Sequence, residues 1–126
     1  MTSLSRLIVL AVFALAACNA STGGLCEGGR DCVCSGASCD VDCDSGGCDQ
    51  ECLDGTCDFS CAGGACDQQC SAGTSCVVSC AAGNCDQQCT AGASCTFTCA
   101  GGNCDQFCGG NPNCSSTCTG GNCDSL

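Results

Sequence analysis

The chain has no histidine, tryptophan or tyrosine, one proline, and two basic residues, both arginine. Without histidine, lysine or tyrosine, acid–base and nucleophilic chemistry is left to carboxylates, hydroxyls and thiols. No Cys-x-x-Cys is present to activate a thiol. Paired acids such as Asp40 and Asp42 come with no sign of a pocket, so they read as a solvated face. An enzyme is therefore not expected. Thirteen acids against two arginines give a net charge of −11, which excludes nucleic acid as a natural partner. Beyond Cys18 the large apolar side chains are only Leu25, Val33, Val41, Leu53, Phe59, Val77, Val78, Phe97, Phe107 and Leu126. So few cannot hold an ordinary core, and cross-links or metal ions must do that work. Apolar spacing of 3.6 residues is also missing, so no helix is expected after residue 17.

What the chain has instead is 23 cysteines and 19 glycines in a repeat. Laps start at Cys39, Cys57, Cys76 and Cys95, with a partial one from Cys114. Each full lap holds two Cys-x-x-x-Cys segments, and a period near 20 residues marks a solenoid. In an extended strand, residues i, i+2 and i+4 share a face. Inward cysteines therefore carry the residue between them inward: Val41, Phe59, Val78, Phe97 and Ser116 in one segment, Gln50, Gln68, Gln87 and Gln106 in the other. The spacing predicts an apolar stack and a stack of glutamine amides bonded along the coil axis. Gly46, Gly64, Gly83, Gly102 and Gly121 hold the third position of one corner, and Gly55, Gly73 and Gly92 recur in the other. A glycine at a fixed offset suits a tight corner with positive φ. Pro112 lies in the last such loop. The fold expected is all-β, a small disulfide-rich β-solenoid of 18–19-residue coils over 39–126.

Before the coils lie three shorter pieces. Residues 1–17 read as a targeting segment: Arg6, then an apolar run from Leu7 to Ala17 that is too short to span a bilayer. Residues 18–25 form a flexible tether. Residues 26–38 break the cysteine rhythm, with the Cys-x-Cys of Cys32 and Cys34, and read as an irregular N-terminal cap. Leu15-Ala16-Ala17-Cys18 resembles the lipobox of bacterial lipoproteins. That resemblance implies cleavage before Cys18, a lipid on its thiol and attachment to a membrane. Asn19 after it, in place of an aspartate, implies the outer membrane or cell surface. Taking Cys18 from 23 leaves 22, an even number that can pair completely.

The cysteines expected in bridges are Cys39, Cys43, Cys48, Cys52, Cys57, Cys61, Cys66, Cys70, Cys76, Cys80, Cys85, Cys89, Cys95, Cys99, Cys104, Cys108, Cys114, Cys118 and Cys123. Two pairings are open. Cys43 can meet Cys48 with Cys39 across the coil from Cys52, or Cys52 can pair round the corner with Cys57. The Cys-x-x-x-Cys-x-Gly-Gly-Asn-Cys-Asp-Gln-x-Cys repeat also resembles cysteine-rich repeat lipoproteins of myxobacteria. A flat disulfide-filled coil is similar in principle to beetle antifreeze solenoids, which show threonine pairs to ice. Here only Thr96 and Thr98 form such a pair.

Asp49, Asp67, Asp86, Asp105 and Asp124 each follow the third cysteine of a lap, which predicts one outward column. Charges ~4.8 Å apart repel by about 0.9 kcal/mol even in bulk water. Ca²⁺ would relieve that repulsion, with Asn84, Asn103 and Asn122 as further oxygen ligands. A thiolate metal site needs reduced cysteines, which an oxidising compartment disfavours. The function expected is a non-enzymatic, lipid-anchored structural or interaction module of the bacterial envelope, facing an envelope or extracellular ligand. A metal-binding repeat is the alternative, and ice binding a third.

Overall fold

The computed structural model describes residues 30–126 throughout, and residues 18–19 and 24–25 by strand placement alone. The expected targeting segment, 1–17, lies outside the described residues, as does the side chain of Cys18. Thirteen strands follow in order: β1 (Cys18–Asn19), β2 (Gly24–Leu25), β3 (Asp31–Ser35), β4 (Ser38–Cys43), β5 (Asp49–Cys52), β6 (Thr56–Cys61) and β7 (Asp67–Cys70). The rest are β8 (Ser75–Cys80), β9 (Asp86–Cys89), β10 (Ser94–Cys99), β11 (Asp105–Phe107), β12 (Cys114–Cys118) and β13 (Asp124–Ser125). No helix occurs among the described residues.

Odd-numbered strands from β1 to β13 form one parallel sheet, and the even-numbered strands from β2 to β12 form the other. This is a β-solenoid, in which each coil lends one strand to each sheet. Repeat positions fall opposite one another without a slip: Cys39, Cys57, Cys76, Cys95 and Cys114 make one row. Register holds because a one-residue shift would turn every cysteine outward.

The interior matches the two predicted stacks. Val41, Phe59, Val78 and Phe97 are buried in successive rungs, and Ser116 ends the row exposed. Gln50, Gln68, Gln87 and Gln106 are buried opposite them. Gln68 Nε2 donates to Gln50 Oε1 at 2.8 Å, Gln87 Nε2 to Gln68 Oε1 at 3.0 Å, and Gln106 Nε2 to Gln87 Oε1 at 2.8 Å. The amides also tie the sheets together, since Gln50 Nε2 donates to Val41 O and Gln68 Nε2 to Ser79 O. A buried amide is tolerated only when bonded, and stacking one per coil supplies the partner.

The corners carry the bridges. Nine disulfides join described residues, each closing a corner: Cys43–Cys48, Cys61–Cys66, Cys80–Cys85, Cys99–Cys104 and Cys118–Cys123 at one side. Cys52–Cys57, Cys70–Cys76, Cys89–Cys95 and Cys108–Cys114 close the other. Of the two open pairings, the round-the-corner one is adopted for Cys52, so no bridge runs from Cys39 across the coil. Facing strands are separated by the Val/Phe and Gln stacks, whereas residues flanking a tight corner approach to Cα distances of 5.6–6.5 Å. Cys39, expected in a bridge, carries a buried thiol.

The first corner uses two consecutive left-handed residues. Gly83 and Gly102 have φ of 87° and 79°, and the residues after them, Asn84 and Asn103, have 56° and 53°. That backbone aims the fourth-position N–H along the axis: Asn84 N donates to Gly102 O, and Asn103 N to Gly121 O, each at 3.0 Å. Asparagine is the non-glycine residue that best tolerates this region, which accounts for the recurring Gly-Asn.

At the N-terminal end, the stretch expected as an irregular cap contributes β3, which pairs with β5 in full register. Asp31 lies beside Asp49, Cys32 beside Gln50 and Cys34 beside Cys52. Cys-x-Cys is thus an ordinary coil strand in which cysteine replaces the ladder glutamine. Cys32 is disulfide-bonded too.

Candidate functional site

Alternation along each strand turns every second residue outward, so each sheet presents its own exposed face. On the odd-strand sheet, Asp49, Asp67, Asp86, Asp105 and Asp124 stand in one exposed row, as their spacing predicts. Asp31 extends that row by one rung. Its signal in the sequence is its place 18 residues before Asp49, which a reading by cysteines alone passes over. The neighbouring row is Val33, Glu51, Gln69, Gln88 and Phe107. Gln69 Nε2 donates to Gln88 Oε1 at 2.9 Å, an outer copy of the buried ladder. Asp31, Val33, Asp49, Glu51, Asp67 and Gln69 line a shallow groove between the rows.

The carboxylates perturb one another. Partial burial, followed by the hydrogen bond and charge of Asp31, pushes the Asp49 carboxyl above its ordinary value. Asp67 is raised by burial and then by the charges of Asp86 and Asp49. As a cation site the row offers one carboxylate per rung. Two adjacent carboxylates bring four oxygens at most, against the 6–8 that Ca²⁺ takes. Water would have to complete the shell. Asn84, Asn103 and Asn122, expected as extra ligands, occupy the left-handed corner position, with φ of 56°, 53° and 54°.

The even-strand sheet carries two outer rows. Asp40, Asp58, Val77, Thr96 and Ser115 form one, and Asp42, Ser60, Ser79, Thr98 and Thr117 the other. Ser60 Oγ donates to Asp42 Oδ1. Asp58 is raised by burial and then by the charges of Asp40 and Asp42. The face passes from acidic at β4 to hydroxylated at β12. Thr96 and Thr98 point outward together, but Val77/Ser79 and Ser115/Thr117 flank them, so no flat threonine array forms.

Sulfur atoms cluster because corner bridges stack from coil to coil. The Sγ atoms of Cys43, Cys48 and Cys66, and those of Cys61, Cys80 and Cys85, lie within 4.8 Å of one another. Those six cysteines are all in disulfides, and a bridged sulfur has no thiolate to offer a metal. Asn111 is a further structural residue that sequence reasoning missed. Its Nδ2 donates to Ala93 O at 2.8 Å and pins the last corner to the one before. No family model, curated protein or solved structure matches the chain.

Proposed function

We propose that this chain is a non-enzymatic structural or interaction module of the bacterial envelope, anchored by a lipid on Cys18 at the outer membrane or cell surface. The observation that carries the reading is the corner stapling: every lap from β4 to β13 is closed by disulfides while its outer faces stay regular and exposed. Such a body holds its shape without a large apolar core, which suits display outside the cytoplasm. The lipobox resemblance at Leu15-Ala16-Ala17-Cys18 supports the anchor. The two faces suit contact with an envelope or extracellular partner over several rungs, as in other solenoids.

Metabolic labelling with palmitate tests the anchor. Label is expected in the wild-type protein and absent from Cys18→Ser, which should leave the membrane fraction. Equal labelling of both removes the anchor from the reading. Crosslinking in intact cells, then capture of the solenoid, tests the interaction half.

The aligned carboxylates favour a second reading, a face that gathers Ca²⁺. Its signature is a rise in melting temperature with calcium that chelator reverses and that magnesium at equal ionic strength does not reproduce. No difference between the two ions leaves the row as a solvated, screened face.

A further inference from the structure

Asp54 is the only aspartate of the chain that is followed by glycine. The pair lies in the corner between β5 and β6, which the Cys52–Cys57 bridge closes. Gly55 has a left-handed φ of 75°, and its N–H donates to Asp54 Oδ1 at 2.8 Å. In the next coil the corresponding amide is turned along the axis instead, Gly73 N donating to Gly92 O at 3.1 Å. The Asp54 carboxyl group is thus held against the backbone nitrogen of the following residue, and those two groups close a five-membered ring when they react. Holding reacting groups together in this way removes much of the entropic part of a barrier. Asp54 is exposed and Gly55 half-buried, so water reaches the pair. Aspartates of the strands differ on both counts: each is followed by a residue with a side chain, and that residue's backbone is held in a sheet.

We propose that Asp54 is a self-modification site, at which the corner aspartate becomes isoaspartate through a succinimide. Gly55 N attacks Cγ of the protonated Asp54 carboxyl, forming an N–Cγ bond. The amide hydrogen and the carboxyl O–H leave together as one water. Water then opens the ring. Attack at Cγ restores aspartate, whereas attack at the Asp54 main-chain carbonyl carbon breaks its bond to Gly55 N and leaves the main chain running through Cγ. One water is lost and one regained, so the step needs no oxidant or reductant. Isoaspartate lengthens the main chain by one carbon in a corner without slack. A Cβ on Gly55 would already fall on Gly36 O, and Thr56 N donates to Ala37 O at 3.2 Å. Modification therefore loosens the stacking of this corner on the coil before it.

Incubation of the full chain, disulfides intact, in heavy-oxygen water at neutral pH tests this. A reduced and denatured sample runs beside it and sets the interval, which ends when its Asp54-Gly55 has converted. Both are then reduced, alkylated and digested with a protease that cuts before aspartate but not before isoaspartate. Conversion leaves residues 49–57 as one fragment, where an unmodified chain is also cut before Asp54. The native chain should yield that uncut fragment carrying one heavy oxygen, with no label at its other aspartates. Asp54→Glu would need a six-membered ring and should take up no label. Absence of the uncut, labelled fragment from the native chain at the end of the interval overturns the proposal. Label spread over other native aspartates, or persisting in Asp54→Glu, overturns it too.

Discussion

Gln106 donates its side-chain amide to Gln87 Oε1 at 2.8 Å, while its own Oε1 is buried with no partner among the described residues. The ladder therefore has a direction, each amide donating toward the N-terminal coil, and its free acceptor lies at the C-terminal end. Beyond it stands Ser125, in register with Gln106.

The position of a rung should decide what its loss costs. Gln68→Leu removes a middle rung, leaving Gln50 Oε1 without its donor and Gln87 Nε2 without its acceptor. Each stranded group costs about 1–3 kcal/mol. Gln106→Leu shortens the ladder by one rung, strands one ladder group, Gln87 Oε1, and deletes the orphan acceptor; the bond to Thr117 O at 3.4 Å is lost with it, as the one to Ser79 O is in Gln68→Leu. Denaturant unfolding with disulfides intact should show the larger loss for Gln68→Leu, by about 1–3 kcal/mol. Equal losses would mean that the amides do not act as a chain.

The left-handed corner predicts opposite effects at two neighbouring coils. Ala65 occupies the fourth position with φ of 55°, where the next three coils use asparagine. Alanine there carries about 1–2 kcal/mol of backbone strain. Ala65→Asn should relieve part of it while keeping the N–H bond to Gly83 O at 3.0 Å. Gly83→Ala should do the reverse, because φ is 87° and the new Cβ would land on Gly102 O in the next coil. Thermal melts of the two variants should move in opposite directions.

Most of the fold is legible in the sequence because its signals are periodic. Inward Val/Phe, inward Gln, glycine corners and the Asp row recur at one offset per coil, and a parallel sheet in register converts offset directly into contact. Residues 31–39 are harder to read because the landmark used, cysteine, is the residue type that changes. Cys32 stands where later coils have glutamine, so the coil looks broken unless it is aligned on Asp31. Pairing was undecidable for another reason. Cys52 is as close in sequence to Cys57 as Cys43 is to Cys48, a separation of 5 in each case, and only the width imposed by the buried stacks rules out a bond across the coil. The corner role of Asn84, Asn103 and Asn122 is hidden in the sequence, which shows their side-chain chemistry but not their positive φ.

Bridge lability should follow burial along the axis. Cys80–Cys85 and Cys99–Cys104 join fully buried sulfurs, whereas Cys108, Cys114, Cys118 and Cys123 are only partly buried. Thiol–disulfide exchange needs access for the attacking thiolate. Limiting reductant, trapped with iodoacetamide and mapped by mass, should therefore label the last two bridges first. Each corner bridge closes about 6 residues and contributes roughly 2 kcal/mol by loop entropy. A Cys118→Ser/Cys123→Ser double variant should stay folded and melt lower. Labelling that begins at Cys80 and Cys85 would contradict the burial order.

Acid should stabilise this protein down to the pH where its raised carboxyls are protonated. Asp49, Asp58 and Asp67 all have pKa values lifted above the ordinary 3.8, by burial first and neighbouring carboxylates after it. For such a group the folded state holds its proton at a pH where the unfolded chain has released it. Stability therefore falls as pH rises from the unfolded value through the folded one, and the deficit persists at neutral pH. With a net charge of −11, general repulsion acts in the same direction. Denaturant midpoints at low ionic strength should be higher near pH ~3.5 than at pH ~7, the reverse of ordinary acid denaturation. Added salt should recover part of the difference at neutral pH by screening the row. Asp67→Asn, which removes the charge between Asp49 and Asp86, should narrow the gap between the two pH values. A midpoint that drops on acidification would show that the aspartate rows are not under mutual repulsion in the folded state.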